Sequence, residues 1–180
     1  MTTSRRIPPV DHTRAGPAEI VDAILARRGG TLMNIDRQML HSPELARGWN
    51  HMLGAVRTRL ALPGRLRELA ICAVATLNGA SYEFHHHAPV LLHEGGSAAQ
   101  VEALRDVIAA LRAEAVFDRA ERAVLQLTLE MTRSVSVSDA TFTELRQVLN
   151  SDQHVVELVA VVAAYNMVSR FIVALQIDPE

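Results

Sequence analysis

Apolar residues in this chain recur every three to four positions, and no segment alternates them with polar residues over the length of a strand. A spacing near 3.6 buries one stripe of a helix, whereas a sheet that faces a core needs a spacing of two. Ile20, Val21, Ile24 and Leu25 follow the helical pattern from Pro17 until Gly29-Gly30 stops them. Leu45, Trp49, Met52, Leu53 and Val56 repeat it behind Ser42-Pro43-Glu44, which offers a cap, a first-turn proline and an early acid. A chain patterned in this way folds as all-α. Apolar residues make up 49% but aromatics only 4%. The core is therefore aliphatic, and its Ala and Leu lose little freedom in a helix.

The remaining punctuation divides the chain into helices. A short piece covers Asn34 to Leu40, and Leu62-Pro63-Gly64 breaks the chain before a helix over 65–78 that ends at Gly79. A helix over 81–93 follows and ends at Gly95-Gly96; Pro89 inside it removes a backbone bond and predicts a bend just after the histidines. Ser97 caps a helix that runs either to Arg105 or on to Leu111. Asp118 with Glu121 forms a capping box for 119–133. Ser138 precedes a helix to Leu149, and Ser151-Asp152 opens the last and longest, His154 to Leu175. Residues 1–16, with Pro8, Pro9 and Gly16, read as an arm, and residues 17–180 as one domain.

Several partners are excluded at this level. The formal net charge is −2, Lys+Arg 18 against Asp+Glu 20, with no basic stripe of the kind that nucleic acid requires. The single cysteine, Cys72, excludes an internal disulfide and fits a reducing cytosol. The longest apolar runs, Leu69 to Leu77 and Leu158 to Ala164, fall short of a membrane span, and the N-terminus has no signal-peptide core. A cytoplasmic protein that meets neither nucleic acid nor membrane is expected.

Chemistry concentrates in Ala80-Ser81-Tyr82-Glu83-Phe84-His85-His86-His87. On a helix Glu83 and His87 are four apart and share a face, and Glu68 can meet them from the preceding helix. Carboxylates beside an imidazole on rigid elements suit acid–base catalysis near neutrality. His86, three from Glu83, is a second candidate for the same pocket, while His85 points about 100° away and should face solvent or an interface. Tyr82 either offers its hydroxyl or anchors the helix. Asn166 and Arg170 are four apart on the last helix, where Arg170 could receive a substrate carboxylate or tie subunits together through an ion pair. Glu83-x-x-His86 also has the spacing of di-iron carboxylate bundles, but no second such pair exists in the other helices, so no metal is assigned. Cys72, Trp49 and Met52 read as packing residues.

Leu62-Pro63, Arg67-Glu68, Tyr82-Glu83-Phe84, His87 and Gly95, with Ser42-Pro43-Glu44-Leu45 upstream and Tyr165-Asn166 and Arg170-Phe171 downstream, resemble the carboxymuconolactone decarboxylase and AhpD-like superfamily. The resemblance covers roughly residues 40 to 175. It implies an all-helical fold with a central antiparallel helix hairpin and assembly into homo-oligomers, trimers or hexamers. In the peroxidase branch a glutamate precedes a Cys-x-x-Cys pair and then a histidine. The glutamate falls on Glu68 and the histidine on His87, but the two cysteine positions hold Ala80 and Glu83. Thiol-based peroxide reduction needs a nucleophile and a resolving partner, and both are missing.

The decarboxylase branch fits better, because it uses glutamate and histidine with no cofactor. The resemblance then implies a lyase acting on a small lactone or keto acid from aromatic catabolism. Glu68, Glu83 and His87 would be its catalytic residues, and Tyr82, His86, Asn166 and Arg170 would line the substrate site. His87 would supply the proton, with Glu68 and Glu83 converging on its ring as a relay. A family member with a peroxidase label but no dithiol activity, or a non-catalytic oligomeric binder of small molecules, is the alternative.

Overall fold

The computed structural model describes residues 6–11 and 16–180; the rest of the expected arm, residues 1–5 and 12–15, lies outside the described residues. The described chain consists of ten helices and contains no strand, as the periodicity predicts. These fall into two compact units. One holds the described residues up to Arg59 together with Ile172–Glu180, the other Leu60–Phe171.

The first unit contains α1 (Ala18–Arg28), α2 (Asn34–Met39) and α3 (Pro43–Thr58), with α1 and α2 both packed on α3. Asp36 is buried between two guanidiniums, 3.3 Å from Arg27 Nη2 and 2.9 Å from Arg28 Nε, and also accepts the Met33 amide at 3.1 Å. A buried carboxylate needs such partners to remain charged. Residues 6–11 run beside α2: the Val10 amide donates to Arg37 O, and Arg37 Nε donates back to Val10 O at 3.0 Å. Ser42 takes the N-cap position of α3 without a side-chain cap bond, so Pro43 alone sets the first turn. Trp49 is core, but Met52 is 41% exposed and is not the packing residue its spacing suggests.

The second unit is built around α4 (Gly64–Asn78), which packs against α5 (Ser81–His93) and α8 (Arg119–Ser134). Every residue of α4 from Leu66 to Ala75 is buried. A helix apolar all round belongs inside a domain, and this one sits there. Gly79 caps α4 in the left-handed conformation, with φ 67°. The Gly79-Ala80 link is too short for anything but an antiparallel neighbour, so α4 and α5 form a hairpin. α5 continues through Pro89 to His93. The turn after it needs glycine: a Cβ at Gly96 would stand 2.7 Å from Leu91 Cγ and 2.8 Å from the Leu91 carbonyl oxygen.

The helix expected from Ser97 through Arg105 is α6 (Ala98–Ala103), and the stretch towards Leu111 is a separate piece, α7 (Val107–Ala110). Asp106 divides them because its carboxylate accepts the Ile108 and Ala109 amides and so caps a new start. The Ser97/Gln100 and Asp118/Glu121 capping boxes both close, the second opening α8, and Ser138 caps α9 (Asp139–Leu149).

α10 (Asp152–Leu175) contributes its residues up to Phe171 to this unit. No single apolar run in it reaches a membrane span, yet the folded helix of 24 residues is long and apolar enough to cross one. Val155, Leu158, Val161, Val162, Tyr165, Val168 and Ser169 form its buried face. That face carries a serine hydroxyl bonded to a buried acid, which is the behaviour of a core helix.

Candidate active site

Because α4 and α5 are antiparallel, positions whose numbers share a constant sum lie opposite one another: Glu68 faces His87, and Cys72 faces Glu83. The first pairing is direct. His87 Nδ1 and Glu68 Oε2 are 2.6 Å apart, with Glu68 only 1% and His87 5% exposed. The second sets two buried groups side by side, and burial, followed by the nearby charge of Glu68, pushes the Cys72 thiol far up. A thiol held in that way is not a nucleophile.

Arg67 completes the acid's coordination. Its Nε donates to Glu68 Oε1 at 3.1 Å, and its Nη2 lies 3.5 Å from Glu94 Oε1. Burial alone would raise the Glu68 carboxyl, but the hydrogen bond and charge of His87, and after them those of Arg67, outweigh it. Glu68 is left below the usual carboxylate value and is therefore an anion. The imidazole is held on a second side as well: Tyr165 of α10 stands edge-on to it, with ring centroids 5.0 Å apart and planes at 87°. An imidazole fixed by an anion at one nitrogen and by an aromatic edge is oriented for proton transfer.

Glu83 does not join that pair. Its carboxyl is 1% exposed, and its Oε1 accepts the Ser169 hydroxyl at 2.9 Å. The expected convergence of both acids on one ring is thus replaced by two adjacent pairs, Glu68–His87 and Glu83–Ser169. The reason is positional. Glu68 already occupies His87 Nδ1, and α10 presents its hydroxyl to the next turn of α5. Burial pushes the Glu83 carboxyl well up, only partly offset by the Ser169 bond, and it forms no ion pair with a cation among the described residues.

The other expected site residues are distributed unevenly. Tyr82 is buried, its ring 4.4 Å from that of the half-buried His86, and His85 is exposed as its direction predicts. The Asn166 side chain is committed within the unit. Its Oδ1 accepts from Asn78 Nδ2 at 3.1 Å and Arg170 Nη1 at 2.7 Å, and its Nδ2 donates to Thr132 Oγ1 at 3.0 Å. Arg170 is exposed and bonds Asn166, with no acid partner among the described residues. Among the described residues no three His, Cys, Asp or Glu side chains are grouped as a metal site.

Arg67, Tyr165 and Ser169 were not singled out as site residues by the sequence. Ser169 had a detectable signal: it is a lone hydroxyl among the apolar positions of α10, four residues from Tyr165 on the same face.

The fold is shared with solved structures. An uncharacterized peroxidase-related protein from Silicibacter sp. TM1040 is 19% identical with a TM-score of 0.81, covering 100% of this chain and 96% of its own. A second, described as an alkylhydroperoxidase AhpD core from Ralstonia eutropha JMP134, is 21% identical with a TM-score of 0.82 and covers 96% and 91%. The debrominase Bmp8 is 18% identical with a TM-score of 0.81 and covers 98% and 93%. At these identities the likeness concerns the fold. No curated protein matches the chain. The sequence pattern of the carboxymuconolactone decarboxylase family matches residues 43–130, a span that includes Arg67, Glu68, Glu83 and His87. Over that span, just under half of its length, the chain carries the pattern of the carboxymuconolactone decarboxylase family, and it does so within a fold shared with AhpD-like structures.

Proposed function

We propose that this protein is a cofactor-free acid–base enzyme, a carboxy-lyase acting on a small lactone or keto acid of the kind produced in aromatic catabolism. The observation that supports it most is the buried Glu68–His87 contact at 2.6 Å, with Arg67 holding the far oxygen of the same carboxylate. The anionic Glu68 favours a protonated ring, and a protonated ring can release its proton from Nε2.

The step balances without a cofactor. The bond between the substrate carbon and its carboxylate breaks, carbon dioxide leaves, and the electron pair moves into the conjugated carbonyl to form an enolate. His87 then delivers one proton to carbon and recovers it from solvent. Arg170 is the residue we assign to the substrate's carboxylate, with Asn166 positioning its guanidinium through two hydrogen bonds. Tyr82 and His86, whose rings are 4.4 Å apart, are assigned to the same substrate site.

We further assign a homo-oligomer. Val156, Ala160, Ala163 and Met167 line an exposed face of α10 at alternating spacings of four and three, with Val156 67% and Met167 40% exposed. Such a stripe suits packing against a second copy of the chain.

The test is carbon dioxide release from a panel of unsaturated lactone and keto acids. At least one should be turned over by the wild type. His87→Ala should abolish that activity, and Glu68→Gln should lower it by about a hundredfold, the usual contribution of a positioned acid or base. Circular dichroism would confirm that both variants fold. Full activity in folded His87→Ala would remove the imidazole from the chemistry and end the reading.

A further inference from the structure

Glu83 is the buried acid that the Glu68–His87 pair leaves unused. Oε1 accepts from Ser169 Oγ at 2.9 Å, while Oε2 is buried and meets no hydrogen-bond partner among the described residues. Among the described residues, the groups around it offer no compensating cation. His87, one turn along α5, is engaged with Glu68; Cys72 faces Glu83 from α4; Ser169 faces it from α10. Arg105 lies over the neighbouring Phe84 ring, 4.1 Å from its centroid, and forms no ion pair with Glu83. A carboxyl in such surroundings keeps its proton, as the upward push from burial also indicates. Because Oε1 receives the Ser169 hydrogen, the acid's own hydrogen belongs on Oε2. A buried O–H with no acceptor is rare in a folded protein unless a water or a ligand supplies one.

We propose that Glu83, held in place by Ser169, is a neutral hydrogen-bond donor for the carbonyl or lactone oxygen of the bound substrate. This rests on the acid–base reading above and divides its labour: His87 with Glu68 moves the proton, while Glu83 with Ser169 receives the charge that collects on oxygen as carbon dioxide leaves. A fixed neutral donor stabilises an enolate oxygen without the reorganisation that water requires. Ser169 acts as a positioning residue by fixing which oxygen carries the hydrogen.

Infrared spectroscopy reads the two halves of this proposal. Wild type at neutral pH should show the carbonyl band of one protonated carboxylic acid, lost in Glu83→Gln. An unsaturated γ-butyrolactone carboxylate labelled at its ring carbonyl is the probe for the second half. Its carbonyl stretch should fall to lower frequency on wild type, on Glu83→Gln, whose amide also donates, and on His87→Ala, but not on Glu83→Leu. Turnover should follow, with Glu83→Gln retaining most activity and Glu83→Leu losing about a hundredfold. Absence of the acid band, or a lactone band that is the same on wild type and Glu83→Leu, overturns the proposal. Full activity in His87→Ala with both bands as expected would instead defeat the acid–base reading and leave Glu83 as a ligand donor.

Discussion

Two glutamates in one hairpin are buried to the same 1% exposure yet are pushed in opposite directions, because among the described residues only Glu68 has an imidazole and a guanidinium bonded to it. Glu68 touches His87 and Arg67 and is pulled below the ordinary value of 4.5, while Glu83 touches a hydroxyl and is pushed well above it. The consequences for stability have opposite signs. Glu68 contributes stability above its unfolded value that is lost as pH falls through its folded one. Glu83 binds its proton more tightly when folded, so its contribution is full below about 4.5 and declines as pH rises through the folded value. Denaturation midpoints measured across pH should show this decline in wild type and not in Glu83→Gln; identical profiles would contradict the neutral acid. The sequence made Glu68 and His87 legible, since polar residues at the margins of an apolar run and a four-residue spacing constrain where they can point. It could not show that Glu83 turns to Ser169, because that choice depends on a helix 86 positions away in the chain.

At the scale of elements, most boundaries were legible because capping chemistry is local. Asp118 with Glu121 and Ser97 with Gln100 close their boxes where the spacing says they should. The break at Asp106 was not, since an aspartate in a helical pattern can be either an interior residue or a new cap, and only the amides it finds decide. The same limit applies to α10. Its heptad-like exposed stripe lies on a helix whose other face is core, and hydropathy alone does not separate the two faces. If that stripe joins copies of the chain, sedimentation equilibrium will give a mass that is a multiple of 19.7 kDa. Met167→Glu will then reduce it toward the monomer, because a charge at an apolar contact is not easily desolvated. A wild type that sediments as a monomer would contradict this.

At the scale of the molecule, residues near 68, 87 and 165 reach one place because three helices of one unit meet there. α4 is central and buried almost throughout, α5 returns along it, and α10 closes the group with Tyr165 and Ser169. The family pattern ends at residue 130, before α10, so the third wall of the site comes from outside the matched span. Reading the pattern alone therefore finds the acid and the imidazole but not what orients them. If Glu68 and His87 act as one unit, the titration of the His87 ring, followed by nuclear magnetic resonance, shows it without needing a substrate. An anion at 2.6 Å favours the imidazolium, so Glu68→Gln should lower the pH at which His87 loses its proton by about one unit or more. An unchanged midpoint in a folded Glu68→Gln protein would show that the two groups are not coupled, and the account would fail.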